Sequence, residues 1–414
     1  MGVFNRMAGE KVYCGLDIGS QRVKAGLVKV REFNELELLG VYECPTAGFK
    51  DSSVRNLAEL SECIHRAISG LARQTGCKLQ DIELGIGGDL VLSRHSQTII
   101  PLVDKRSKII AQSDVKKVIR QARLLGVKMD EEMLHEFPQY YRVDDINTAL
   151  NPVGLYGRKL EVDVLVLAAD INRINNIIKA VNQAGLETAH LFFSGFAAAT
   201  SVLNKKHKED GSVLIDVGAG ITNILIFKDG LLKYVGHLPW GGDHITRAIA
   251  KQMSLSFDLA EDIKKSYAVA IDAESDPEEE ILVKREEGYM PIKKNLIFQA
   301  VDPEVGQFIT QLNDLIHQSG LYDQLNLGVV MVGGGALLTG LIERIESSIH
   351  LPVAIGKITL GNKGISNASV FASAIGLAQE GFNQDTLVKY STDSNNGAVK
   401  SFLNRVKELY QEYF

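Results

Sequence analysis

Two segments of this 414-residue chain share one pattern, in which a strand-like run, an Asp-x-Gly turn and a second strand-like run follow each other. The first is VYCGLDIGSQRVKAGLVKV, residues 12–30, and the second is SVLIDVGAGITNILIF, residues 212–227. Apolar and β-branched residues flank both turns, which is typical of strands joined in a hairpin. Asp216 of the second turn lies 199 residues after Asp17 of the first. The pattern predicts two related lobes rather than an array of short repeats.

Length and composition narrow the class of protein. Hydrophobic residues make up 45% of the chain and charged residues 23%, as in a soluble globular protein of two or three domains. The formal charge of −6 disfavours a nucleic-acid binder. No apolar run approaches the roughly 20 residues of a membrane span, and the first ten residues lack the apolar region of a signal peptide. Four scattered cysteines without a CxxC pair suit a reducing cytoplasm.

The chemistry of an Asp-x-Gly turn suits a phosphate and a cation. Glycine lets backbone N–H groups approach a phosphate closely, and the aspartate can face a hydrated Mg²⁺. One such turn is more often a plain hairpin turn, but two facing copies could hold the β- and γ-phosphates of a nucleotide from both sides. The triple glycine at 333–335 offers a flat surface for an adenine ring. Taken alone, it is a strand-to-helix turn.

The end of the chain changes in character after Gly381. Residues 381–397 are polar and weakly patterned, which predicts a linker. Residues 398–414 carry apolar side chains at helical spacing and a net charge near +1, which predicts an amphipathic helix. That helix either lies in a membrane interface or docks on its own domain, and the flexible linker favours the membrane. The bulky side chains available for it are Phe402, Leu403, Val406, Leu409, Tyr410, Tyr413 and Phe414.

The two turns, the glycine triplet and their order resemble the superfamily of actin, heat-shock ATPases and sugar kinases. DIGSQRVKAGLV looks like its first phosphate loop, VLIDVGAGITNILIF like its second, and VVMVGGGALLTGL like its adenosine motif. Within the superfamily the chain resembles the FtsA family of bacterial division proteins over nearly its whole length. NPVGLYGRKLEVDVLVL, SGFAAATSVL and GGDHITRAIA are also similar to that family. So is the amphipathic end on a linker.

The resemblance implies an α/β, actin-like fold of two RNase-H-like lobes around a nucleotide cleft, with an FtsA-type subdomain 1C and a C-terminal amphipathic helix. The implied division places subdomain 1A at 11–82 and 166–194, 1C at 83–165, 2A at 195–243 and 321–380, 2B at 244–320, the linker at 381–397 and the membrane-targeting helix at 398–414.

The resemblance also implies ATP and Mg²⁺ as ligands, with Asp17 and Asp216 facing the metal through water. Glu261 and Lys264 form an ExxK on one helix face, from which both could reach a ribose, although the simpler interpretation is an exposed ion pair. The residues implied to bind the nucleotide are Asp17, Gly19, Ser20, Gln21, Lys24, Asp216, Gly218, Gly220, Thr222, Asn223, Gly242, Glu261, Lys264, Gly333, Gly334, Gly335 and Ala336.

No residue stands out as catalytic. Members of the superfamily that hydrolyse well place Gln or Glu near the start of the helix that here begins Ser194-Gly195-Phe196. A serine hydroxyl is a poor base unless another group activates it. We therefore expect slow ATP hydrolysis at most, with the nucleotide acting mainly as a structural ligand that closes the cleft.

As an FtsA-like protein, the chain would polymerise on the cytoplasmic face of the bacterial inner membrane at the division septum, as a peripheral protein. It would tether the FtsZ ring through the FtsZ C-terminal tail on 2B and recruit later division proteins, with no nucleic acid involved. One departure concerns 2B, because Glu304 stands after Pro303 where the family often has arginine. The residues that could compensate are Lys284, Arg285, Lys293 and Lys294.

Two other readings remain open. The first is a sugar or acetate-type kinase of the same superfamily, which would need a carboxylate base and a second substrate pocket. The second is a relative with a role in pilus assembly or another cytoskeletal system.

Overall fold

The computed structural model describes residues 6–7, 10–102, 107–145, 147–271, 279–285, 288–360 and 367–393. Over these ranges, no helix is both long enough and apolar enough to span a bilayer. The predicted amphipathic helix at 398–414, with its seven bulky side chains, lies outside the described residues. So does most of the acidic stretch at 272–280.

The chain begins with most of a mixed sheet and one helix. Helix α1 ends at Thr75 and is capped by Gly76, which is left-handed at φ +69° and donates its N–H to the Ala72 carbonyl. The elements of this part are β1 (Arg6–Met7), β2 (Glu10–Ile18), β3 (Arg22–Val30), β4 (Leu36–Pro45), β5 (Phe49–Lys50), β6 (Ser53–Val54), α1 (Leu57–Thr75) and β7 (Asp81–Ile86).

A second unit, called the insert below, follows β7 and has its own core under one helix. Its main sheet has the strand order β11-β10-β13-β8, and α2 packs across one face of it. The elements of the insert are β8 (Val91–Pro101), β9 (Lys108–Ile109), α2 (Gln112–Gly126), β10 (Glu131–Val143), β11 (Asn147–Ala149), β12 (Tyr156–Gly157) and β13 (Lys159–Asp170).

The chain then returns to the first sheet through α3 (Ile171–Gln183) and β14 (Glu187–Phe193). Asp170 caps α3, because its side chain accepts a hydrogen bond from the Arg173 N–H at 2.8 Å. The elements that follow are α4 (Ser194–Val202), α5 (Lys205–Asp210), β15 (Ser212–Val217), β16 (Thr222–Lys228), β17 (Leu231–Leu238), α6 (Gly242–Met253), α7 (Phe257–Tyr267), β18 (Glu280–Arg285), β19 (Gly288–Lys293), α8 (Lys294–Gln318), β20 (Val329–Val332), α9 (Leu341–Ile349), β21 (Val353–Ile355) and α10 (Ala372–Asp393).

The two large sheets have the same topology, which confirms the predicted duplication. The first has the order β4-β3-β2-β7-β14 and the second β17-β16-β15-β20-β21. In each, the first three strands in chain order are antiparallel and the last two join in parallel. Each sheet with its helices is called a lobe below, and each lobe begins with one of the two Asp-x-Gly hairpins.

Two helices exchange between the lobes and cross each other closely. Helix α4 follows the first sheet but packs against β16 and β15 of the second, whereas α10 follows the second sheet but packs against β2 and β3 of the first. At the crossing, a Cβ on Gly376 of α10 would lie 1.7 Å from the carbonyl oxygen of Ala197 in α4. The lobes therefore share a helix pair that only glycine at position 376 allows.

The structure corrects several predicted boundaries. The predicted limit at 83 falls inside β7, which belongs to the first sheet. The predicted limit at 165 falls inside β13, which belongs to the insert. Residues 381–393 continue α10 and are not the predicted linker, because Asp385 accepts hydrogen bonds from Lys11 and Tyr13 of β2, which holds this half of the helix on the sheet. Helix α8 begins before Pro303, not after it. The division into named subdomains stays a prediction.

We predict opposite effects of alanine at two helical glycines. G376A should lower the free energy of unfolding by about 3 kcal/mol or more, because the added methyl meets the backbone of α4. The control is G306A in α8, where a Cβ meets only the guanidinium tip of Arg344 at 3.4 Å. G306A should be neutral or raise stability by about 0.5–1 kcal/mol. Urea unfolding measures both, and equal effects would contradict the close crossing.

Candidate functional site

A cavity of about 500 Å³ lies between the lobes, where the two Asp-x-Gly hairpins face each other. Nearly all of the residues predicted to bind a nucleotide line it. They are Asp17, Gly19, Ser20, Gln21, Lys24, Asp216, Gly218, Gly220, Asn223, Gly242, Glu261, Lys264, Gly333, Gly334 and Gly335. Two predicted residues do not line it. Thr222 is fully buried with its hydroxyl donating to the Trp240 carbonyl at 2.9 Å, and Ala336 is buried under the glycine turn.

The two hairpin turns have the same internal geometry. The Gly19 N–H donates to the Arg22 carbonyl at 3.0 Å, and the Gly218 N–H donates to the Ile221 carbonyl at 2.9 Å. Across the strands, Asp17 is paired with Lys24 and Asp216 with Asn223. The two lobes therefore present equivalent backbone turns to the cavity, each preceded by an aspartate.

Asp17 is held by the first residue of α4. The Ser194 hydroxyl donates to Asp17 Oδ1 at 2.9 Å. Burial raises the pKa of Asp17, while the charge of Lys24 and the Ser194 hydrogen bond lower it. Gly85 makes room for this contact, because a Cβ there would lie 2.4 Å from Ser194 Oγ.

Asp216 occupies the equivalent place in the second lobe. Burial, followed by the negative charge of Asp17, raises the pKa of Asp216 to about 6. Ser373 of α10 lies 3.5 Å from Asp216 Oδ2. Two buried carboxylates at one end of the cavity favour a bound cation, which would relieve their repulsion.

The polar atoms beside the carboxylates suit a hydrated divalent cation. The Asn223 side chain lies next to Asp216, and its buried Oδ1 has no hydrogen-bond partner. Such an acceptor can be satisfied by a water of the cation's hydration shell. Across the described ranges, no cluster of three His, Cys, Asp or Glu residues could hold a metal directly. A cation here would depend on water and on the phosphates of a ligand, which fits Mg²⁺.

The lining of the cavity also contains the predicted ExxK pair on α7. Lys264 Nζ lies 2.6 Å from Glu261 Oε2 and also donates to the Gly242 carbonyl at 3.1 Å. Thr246 Oγ1 donates to the same Glu261 oxygen at 2.5 Å. The ion pair therefore exists, but Glu261 is only 8% exposed and the pair lines the cavity instead of facing solvent.

The glycine triplet forms the turn after β20, and its three members have different environments. Gly333 is left-handed at φ +87°, and a Cβ there would lie 2.4 Å from the Val217 carbonyl oxygen. A Cβ on Gly335 would lie 2.4 Å from Val217 Cγ1, whereas a Cβ on Gly334 would meet nothing within 4 Å. Gly334 thus leaves an open face on the cavity, and the other two glycines are required by the packing.

Several lining residues escaped the sequence analysis. Five of them are in α7, after it or after the glycine turn, namely Lys265, Ala268, Leu337, Leu338 and Thr339. Ser369 and Val370 come from the short helical turn before α10, and Ser373 from the first turn of α10. Lys265 and Leu337 directly follow predicted residues, so an extension of the motifs would have found them. The segment at 369–373 carries no motif, and only the helix exchange brings it to the cavity.

Two family models match the chain. The model described as cell division protein FtsA matches residues 213–376, and the model described as the SHS2 domain inserted in FtsA matches residues 88–168. The cell division protein FtsA of Pseudomonas aeruginosa is 28% identical over 414 residues, covering 98% of this chain and 98% of that protein. The chain belongs to the FtsA family. The resemblance inferred from its motifs is therefore confirmed.

Solved structures place the FtsA-family fold among the actin-like proteins. A chain of the PilM–PilN type IV pilus biogenesis complex matches with a TM-score of 0.65 at 19% identity, covering 89% of this chain and 98% of that one. MreB5 of Spiroplasma citri bound to ADP matches with a TM-score of 0.52 at 12% identity, covering 91% and 98%. The predicted two-lobed, actin-like fold is confirmed.

We predict that alanine at two neighbouring glycines separates packing from the open face of the cavity. G333A should lower the free energy of unfolding by about 2–3 kcal/mol, because it forces a left-handed alanine against the backbone of Val217. G334A should change it by less than about 0.5 kcal/mol, because its methyl enters open space. Thermal and urea unfolding test this, and a large loss in G334A would contradict the open face.

Proposed function

We propose that this FtsA-family protein binds ATP with Mg²⁺ in the cleft and polymerises on the cytoplasmic face of the inner membrane at the septum. In this proposal the polymer tethers the FtsZ ring and recruits later division proteins. The observation that carries nucleotide binding is the meeting of two equivalent Asp-x-Gly turns, the ExxK pair and the glycine turn around one cavity. Family membership supports the role in division.

The lining residues suggest one orientation for the nucleotide. The two turns would supply backbone N–H groups for the phosphates, with Ser20 and Lys24 on the first lobe and Gly218 and Gly220 on the second. Glu261 and Lys264 would bind the ribose, and the adenine ring would lie on the open face of Gly334. Asp17 and Asp216 would hold Mg²⁺ through water, and the metal would supply neutralisation of the phosphate charge.

Hydrolysis should be slow, and the contact of Ser194 supports this. Its hydroxyl donates to Asp17, so this group orients a carboxylate and does not accept a proton from water. The residue at the start of α4 is therefore used for metal positioning. In this proposal the bound nucleotide closes the cleft and favours the polymer.

The membrane tether is assigned to residues 398–414, which lie outside the described residues. One amphipathic helix of this size binds lipid modestly and reversibly. A polymer places many such helices on one bilayer, so avidity strengthens attachment without any new contact.

The FtsZ tail is assigned to the region of α8 and the β18–β19 hairpin. Of the cations proposed to compensate for Glu304, Lys294 is paired with Glu279, and Lys293 also has a partner. Nearby, Arg344 of α9 pairs with Asp302 at 2.8 Å, directly before Pro303. Arg344 is a further cation that could bind an acidic peptide by exchanging its ion pair with Asp302 for one with the peptide.

We predict that neutralising one carboxylate removes most of the Mg-ATP affinity. D216N keeps the shape of the side chain but removes the charge that holds the hydrated metal, so affinity should fall about 10–100-fold. The control is D314N, at an exposed position on α8. Isothermal titration calorimetry with Mg-ATP measures both, and unchanged affinity in D216N would exclude this metal position.

Phosphate release should stay well below about 1 s⁻¹ in the full chain, the low end of ordinary enzymes. A coupled phosphate assay with and without lipid measures it. Fast turnover, or transfer of phosphate to a sugar or carboxylate in a substrate screen, would favour the kinase reading instead.

The full chain should pellet with vesicles of anionic lipid, and a chain ending at Asp393 should not. ATP should increase the pelleted fraction, because polymer adds avidity. If both chain lengths stay in the supernatant, the terminal segment is no membrane tether.

An FtsZ C-terminal tail peptide should bind the chain, and a control peptide with the same residues in scrambled order should not.

A further inference from the structure

The small hairpin β5–β6 has an unusual turn beside the cleft. Asp51 and Ser52 are both left-handed, each at φ +49°. Two-residue hairpin turns of this kind normally use Asn-Gly or Asp-Gly, because non-glycine residues rarely adopt positive φ. A pair of non-glycine residues in this conformation persists only when neighbouring groups hold it.

One side chain holds the turn. Arg173 Nη2 donates to the carbonyl oxygens of Asp51 at 3.1 Å and Ser52 at 3.3 Å, and to Ser53 Oγ at 2.9 Å. Arg173 lies in the first turn of α3, three residues after Asp170, which ends β13 of the insert and caps the Arg173 N–H. The turn is therefore tied to the point where the chain leaves the insert.

The other side of the turn faces the cleft. Ser52 is 9% exposed, and it lines the cavity together with Phe49 and Gly88. Gly88 is left-handed at φ +67°, and a Cβ there would lie 2.6 Å from Ser52 Oγ and 3.1 Å from Ile221 Cδ1. Ile221 belongs to the second Asp-x-Gly turn, so Ser52 lies where the two lobes meet at the phosphate end.

Both covalent connections between the first lobe and the insert pass this hairpin. The entry is the short turn Gly88–Leu90, and the exit is Asp170–Arg173. Arg173 also lies 4.0 Å from the carboxylate of Asp89 in the entry turn. One guanidinium thus contacts the cleft hairpin and the entry segment, while its own backbone belongs to the exit.

We propose that Arg173 and the β5–β6 turn couple occupancy of the nucleotide cleft to the position of the insert. This rests on the proposed nucleotide binding. Ser52 offers a hydroxyl to the phosphate end of the ligand, and a shift of the 51–53 turn moves the three acceptors of Arg173. Arg173 contacts both the entry and the exit segment of the insert. A shift of the 51–53 turn is therefore passed to the insert through the hydrogen bonds of Arg173 and not through the cores of the lobes. Arg173 acts as a positioning residue and does not touch the ligand.

The coupling follows from a difference in contacts between two states. A ligand shifts an equilibrium only when it interacts differently with the two arrangements. The structure shows the left-handed turn held by Arg173. A second, relaxed arrangement of this turn belongs to the proposal, and the contact of Ser52 with the ligand would favour one of the two. Coupling between two sites is reciprocal. If the Arg173 contacts are lost, the nucleotide therefore has less effect on the position of the insert, and the position of the insert has equally less effect on nucleotide affinity.

The test is hydrogen–deuterium exchange on the full chain with and without Mg-ATP, with calorimetry on the same samples. The variants are R173Q, which removes the donors to the turn, R173K, which keeps the charge with a single flexible ammonium, and S52A. The matched control is K179Q, an exposed position on the same helix. Thermal unfolding of each variant verifies that it is folded.

In the unsubstituted chain, nucleotide should slow exchange in residues 46–56 and also in β8 and β13 of the insert. R173Q should bind nucleotide with less than tenfold loss of affinity but should lose more than half of the nucleotide effect in β8 and β13. R173K should fall between, K179Q should match the unsubstituted chain, and S52A should weaken nucleotide binding about 2–10-fold.

Undiminished nucleotide effects on the insert in R173Q overturn the inference, as does binding by the unsubstituted chain without any change in insert exchange. A flat calorimetric trace for the unsubstituted chain has a different meaning. It overturns the proposed nucleotide binding, and the coupling with it.

Discussion

The site depends on the crossing of α4 and α10, where Gly376 lies against the backbone of Ala197. Each of these helices also places a serine of its first turn at one of the two carboxylates, Ser194 at Asp17 and Ser373 at Asp216. Each serine precedes the crossing residue of its helix by three positions, which is about one helical turn. Since α4 contacts both sheets and α10 packs on the first, the packing of the two helices links the separation of the sheets to that of the two aspartates. The cleft geometry is thereby built into the core.

The sequence predicted the parts of this design that are local. The two Asp-x-Gly hairpins and the glycine turn depend on residues close together in the chain, so their patterns can be recognised without tertiary information. Recognising the two hairpins as copies predicted two related lobes, and the strand orders of the two sheets agree with that prediction. Most of the predicted lining residues belong to these motifs, and for that reason they do line the cavity. Thr222 does not line the cavity, because its side chain faces Trp240 on the other side of the strand from Asn223.

The missed features are those that distant contacts create. Nothing near Ser373 in the sequence indicates a carboxylate 157 residues earlier. Polar residues after Gly381 lack helical periodicity, yet Asp385 is bound by Lys11 and Tyr13, which are more than 370 residues away. The hairpin turn at Asp51 lacks the glycine that would signal it, because Arg173 supplies the stabilisation instead. Two of the predicted subdomain limits, 83 and 165, fall inside strands β7 and β13, whose ends depend on pairing with distant strands.

The extent of α10 determines how far the body can stand from a surface. With the helix described through Asp393, only residues 394–397 separate it from the predicted amphipathic segment. Four extended residues span at most about 14 Å, whereas the 17-residue linker expected from the sequence could span four times that distance. Together with the ties from β2 to Asp385, this makes α10 a short, stiff strut. On a bilayer, such a strut would restrict the tilt of each subunit, so that neighbours on one membrane arrive already roughly aligned for assembly.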